Sequence, residues 1–169
     1  MNQGRGRTDD EGSLRDHLLD LLEGGGAHRS VDYVLRDLPA ELRGTRPPGL
    51  PHSPWELLEH MRIAQWDILE FSRDPQHRSP EWPDGYWPES PGPPTPEAWD
   101  RSVERFQSDL EEMVARVRDR ESQLFTPFPW GDGQTLLREA LLVADHNAYH
   151  LGQLVVVRRL LGAWPPEGD

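Results

Sequence analysis

Seven histidines are spread over the 169-residue chain, and three are spaced for joint chemistry. His146 and His150 stand four residues apart, so on a helix both imidazoles project from one face. At about 100° per residue, His60 shares a helical face with Leu57, Ala64, Asp67 and Phe71, the side that turns to a core. Two histidines from one helix and one from another, meeting between helices, is how metal sites in bundles are built. Three neutral imidazoles suit zinc, nickel, iron or copper and leave coordination positions for water or substrate. The ordinary alternative is a chance pair on a helix and a hydrogen-bonded core histidine at position 60. Burying three imidazoles without a partner is costly, so each supports the others. Asn147 follows His146, so the zinc-protease motif with its glutamate base is absent.

Groups able to orient these rings lie nearby in sequence. Glu56 and Asp67 are one and two turns from His60, and Gln153 is one turn from His150. A side chain accepting the far imidazole N–H would fix tautomer and orientation. Glu56 and Asp67 are also the only face-matched candidates for a catalytic base. Tyr149 leans towards a helix contact, and His17, His28, His52 and His77 fall in segments read as exposed and take no role.

Helices must bring these residues together, and proline and glycine punctuate them. Residues 1–12 read as a flexible tail. Leu14, Leu18, Leu21 and Leu22 recur at helical spacing before Gly24-Gly25-Gly26, and the helix resumes over Val31 to Leu38. Ser53-Pro54-Trp55-Glu56 opens the second helix with an N-cap hydroxyl, a first-turn proline and a capping-box glutamate. It runs to about Ser72, where Asp74-Pro75 forces an exit. Thr95-Pro96-Glu97 opens the third in the same way, and Trp99, Val103, Phe106, Leu110, Met113 and Val117 form its seam. The fourth spans about Thr135 to Leu161 and is apolar almost all round, which predicts burial on more than one side or a dimer interface. No segment alternates as a strand would.

About 22 residues separate the second and third helices, with most of a cluster of eight prolines between Pro75 and Pro96. An antiparallel pair needs only a short turn, so this length predicts a crossover that sets the two helices parallel. Trp82, Tyr86 and Trp87 make its centre aromatic and stiff. The segment either packs over the bundle end or walls a pocket.

Composition narrows the function. Eighteen basic residues, all arginine, face thirty acidic ones, for a net charge of −12. The acidic balance argues against nucleic acid, and the lack of lysine removes phosphate-loop, Schiff-base and lysine-base chemistry. The lack of cysteine removes disulfides, a thiolate nucleophile and thiolate metal ligands. No signal peptide is visible over Met1 to Gly12, and no run approaches the roughly 18 apolar residues of a membrane span. A soluble, cytoplasmic, single-domain protein is expected.

The Trp55-Glu56-Leu57-Leu58-Glu59-His60 segment and the Asp145-His146-Asn147-Ala148-Tyr149-His150-Leu151-Gly152-Gln153 run resemble the DinB/YfiT-like family of small four-helix proteins. The resemblance covers roughly Leu14 to Leu161. It implies an all-α, up-down-down-up four-helix bundle over residues 13–164, which agrees with the crossover. It also implies that His60, His146 and His150 bind a divalent metal, with zinc or nickel the usual occupants, and that the protein is a homodimer. Family activities point to a metal-dependent transferase that activates a low-molecular-weight thiol such as bacillithiol or mycothiol. In that reading the loop residues Trp82, Tyr86 and Trp87 line the substrate pocket. A hydrolase using metal-bound water and a non-catalytic metal- or partner-binding bundle are the alternatives.

Overall fold

The computed structural model describes residues 4–24 and 26–165, with side chains from Asp10 onward. Five α-helices account for most of this: α1 (Gly4–Glu23), α2 (Val31–Leu35), α3 (Pro54–Arg73), α4 (Ala98–Arg118) and α5 (Leu136–Leu160). All but α2 are 20 residues or longer. Among the described residues no β-strand forms, only an isolated bridge between Pro127 and Thr135.

The expected tail over residues 1–12 is helical from Gly4, and residues 1–3 lie outside the described residues. Further along α1, Arg15 pairs with Glu11 one turn earlier and donates to the carbonyls of Val117, at the end of α4, and of Asp119 and Ser122 just beyond it. Gly24 ends α1 at φ 75°, where a Cβ would be strained. The resumed first helix is a separate one, and α2 stops at Leu35, short of Leu38.

Helix α3 begins as its sequence requires. Ser53 Oγ accepts from the Glu56 N–H, and Glu56 accepts from the Ser53 N–H, a complete capping box with proline in the first turn. The same hydroxyl donates to Pro91 O, tying the α3–α4 connection to the cap. Helix α4 departs from the matching pattern at Thr95. Its first helical residue is Ala98, its N-cap is Glu97 with no side-chain bond, and Thr95 Oγ1 accepts from Arg101 instead.

Helix α3 packs on α4 and α5, α1 packs on α4 and α5, and α2 lies against α5. Two apolar clusters result. One gathers Trp55, Leu58, Met61, Phe106, Leu151 and Leu154 beside α2. The other gathers Leu18, Leu69, Met113, Val117, Leu136 and Val143. Between them on α3 and α5 sits a polar layer, in which Gln65 donates to Phe106 O and accepts from Asn147. The fully buried residues of α5 fall on one broad stripe, and Leu141, Tyr149, Val156 and Leu160 stay exposed. Its all-round apolar character therefore does not mean burial on every side.

Candidate metal centre

His60, on the second turn of α3, meets His146 and His150 of α5 at the edge of that polar layer. The available ring nitrogens of the three lie within 4.8 Å of one another. His60 Nε2 and His146 Nε2 are 3.1 Å apart. His60 is 4% exposed and His150 8%, so water cannot readily satisfy these nitrogens.

The surrounding acceptors fix which nitrogen carries the proton. His60 Nδ1 is 2.9 Å from the carbonyl of Tyr86, which can only accept. His150 Nδ1 is 2.8 Å from Gln153 Oε1. In both rings Nδ1 is the N–H, so both Nε2 atoms turn lone pairs inward. His146 Nδ1 is buried with no hydrogen-bond partner among the described residues. Burial lowers the pKa of His60 and of His150. Burial, then the neighbouring His150 and His60, brings His146 down to about 4. All three rings are therefore neutral at pH 7, the state that binds a metal. His60, His146 and His150 would hold a divalent cation through these neutral ring nitrogens, the donor set that suits zinc or nickel. The residues present can hold a metal ion.

The α3–α4 connection furnishes the outer side of His60. Trp87 stacks on the His60 ring with centroids 3.9 Å apart and planes at 3°. Tyr86 is buried beneath, and its hydroxyl donates to Asp67 Oδ2 at 2.6 Å. Asp67 Oδ1 in turn is 2.7 Å from His77 Nε2. Asp67 thus reaches His60 through the loop backbone, not by direct contact. Trp82 stands outside this cluster, 72% exposed, with its ring edge against Tyr86.

Glu56 is engaged elsewhere. It closes the capping box and accepts from Arg46 Nε and Nη2. Burial raises its pKa, but the hydrogen bonds from Arg46 and Ser53 outweigh that and leave it lowered. Gln153 Oε1 accepts from His150 Nδ1, and Tyr149 is exposed, its ring edge-on to His150 with centroids 4.9 Å apart.

Two histidines given no role from the sequence belong to the surroundings. His52 stacks on the other face of Trp87 at 4.1 Å, making a His52–Trp87–His60 sandwich. His77 anchors Asp67. His52 directly precedes the α3 N-cap, which was the one local sign that it sits at the mouth of that helix. Nothing local to His77 marks its role, because its partner lies ten residues back and is reached only after the chain turns.

No curated protein and no solved structure matches the chain. A family model described as the DinB superfamily matches residues 26–154, a span holding all three histidines, and the chain belongs to that superfamily.

Proposed function

We propose that the protein is a metal-dependent enzyme whose His60, His146 and His150 hold a divalent cation, zinc or nickel, that activates a low-molecular-weight thiol for transfer to an electrophile. The observation that carries this reading is three neutral imidazoles with converging Nε2 atoms, beside carboxylates that are already committed. A bound cation would supply Lewis acidity that lowers the pKa of a thiol, whose proton then passes to solvent. The thiol therefore needs no protein base. Hydrolysis by bound water does call on a proton acceptor, and the two expected candidates are occupied, Glu56 by Arg46 and Ser53, Asp67 by Tyr86 and His77. For this reason we rank the hydrolase second. The chain's own part is to hold His60 and His150 in the binding tautomer and to shield His60 with Trp87.

The up-down-down-up arrangement fits the helix contacts and the long α3–α4 connection. A homodimer fits the exposed apolar ridge of Tyr149, Val156 and Leu160 on α5.

The test begins with elemental analysis of untagged protein purified without chelators or metal-affinity resin, beside a His146→Ala, His150→Ala double variant. Near-stoichiometric metal in the parent and none in the variant is expected, followed by thiol consumption with an added electrophile only when metal is present. Turnover of an ester or amide without thiol would favour the hydrolase. Metal without either activity would leave a non-catalytic bundle.

A further inference from the structure

Helix α5 carries a second concavity on the face turned away from the histidines. At about 100° per residue, Ala148, Gly152, Val155 and Arg159 fall opposite His146 and His150. With Tyr33 of α2 and Trp164 beyond α5 they border a cavity of about 610 Å³, within the size range of small-molecule sites. We propose that this cavity binds a small carboxylate with an aromatic or apolar body.

Shape, charge and backbone all point this way. The Tyr33 and Trp164 rings meet edge-on, 5.6 Å apart at 74°, forming a flat-walled corner. Arg29 lies 4.5 Å from the Tyr33 ring centre and Arg159 5.9 Å from that of Trp164, so two guanidinium groups stand at the aromatic rim. Among the described residues no aspartate or glutamate lines the cavity, although the chain carries a net charge of −12. A carboxylate entering here meets two guanidinium groups suited to bidentate pairing.

The walls are built in place. Buried Arg158 donates to Val34 O within α2, to Arg36 O at its C-cap and to Ala163 O before Trp164, fixing both walls to α5. Gly152 supplies the open floor. A Cβ added there would meet nothing within 4 Å, so packing does not require glycine in this helix interior, where it costs roughly 1 kcal/mol against alanine. The missing side chain leaves space for a guest.

Calorimetric titration of the full metal-loaded chain with 2-naphthoate and with neutral 2-naphthamide tests the proposal. The carboxylate is expected to bind at least tenfold tighter than the amide, with affinity falling as salt rises. An Arg29→Gln, Arg159→Gln variant should bring the two within twofold, and Arg159→Glu should weaken naphthoate while sparing the amide. Both arginines are exposed, and unchanged helical circular dichroism verifies the fold. Gly152→Leu should block both ligands. Because His146→Ala, His150→Ala leaves this face intact, it should bind naphthoate normally, so the result stands apart from the metal reading. Equal affinities, no saturable binding, retention in the arginine variants, or loss in the histidine variant would each overturn the proposal. So would heat arising only from dissociation of copies of the chain, which would assign the cavity to self-association.

Discussion

Burial keeps the three imidazoles neutral, and this has a pH consequence. In the unfolded chain a histidine titrates near 6.5, whereas His146 is brought down to about 4 and His60 and His150 are lowered too. Between those values the unfolded chain binds protons that the folded chain refuses. Stability is therefore full above about pH 6.5 and falls as pH drops towards 4, with His146 contributing up to about 1.4 kcal/mol per pH unit and His60 and His150 acting in the same direction. Urea unfolding of chelated protein between pH 7 and 4.5 should follow this slope, and the His146→Ala, His150→Ala variant should be visibly flatter. Equal slopes would mean that the rings titrate normally. A second residue-level expectation concerns Tyr86. Burial, then Asp67, pushes its phenol up to about 12, so it remains a donor throughout the working range. Tyr86→Phe removes a bond to a charged acceptor, at a cost of about 1.5–3 kcal/mol. It also frees the carbonyl that orients His60, and metal affinity should drop on the order of tenfold in chelator competition. Lost stability with affinity unchanged would show that the clamp merely holds the loop.

At the scale of elements, what the sequence makes legible follows what is local. The starts of α3 and α5 were readable because Ser53 and Thr135 bond the backbone N–H three residues on. Thr95 carried the same signature but its hydroxyl is drawn to Arg101, a competition that spacing cannot reveal. The start of α1 at Gly4 was unreadable because residues 4–12 carry no apolar periodicity. Arg158 is the sharpest case. Within the run Val155 to Leu161 it looks like surface punctuation, yet it is 1% exposed and clamps α2 and the chain after α5. Burial lowers its pKa, so the charge itself is a cost. Against this stand three carbonyls that would lose their donor, at about 1–3 kcal/mol each. The carbonyls should win, and Arg158→Met is expected to destabilise by about 2–4 kcal/mol in urea unfolding. Amide exchange in α2 should quicken more than in α3. Neutral or raised stability would mean that relief of the buried charge dominates.

For the whole molecule, the three-histidine centre joins parts that are distant in the chain. It draws on α3 and α5 directly, and through Tyr86 and Trp87 on the connection between α3 and α4. The pairing of position 60 with 146 and 150 was readable because helical faces are periodic and two of the three lie on one helix. The loop's share was not, because it depends on how residues 74–97 fold back over α3. Any cation that binds this centre favours the folded chain, since the unfolded chain does not assemble the three rings. With free metal at about 100 times its dissociation constant, the gain is about 2.7 kcal/mol, a large share of the 5–15 kcal/mol typical of a domain. Thermal unfolding with zinc or nickel should therefore shift upward with metal concentration and return on chelation. The His146→Ala, His150→Ala variant should show no shift. The exposed histidines test the alternative source of such a response. His28 lies outside the centre and is exposed, so His28→Ala should leave the shift intact, whereas a shift that survives loss of His146 and His150 would place the stabilising metal elsewhere on the surface.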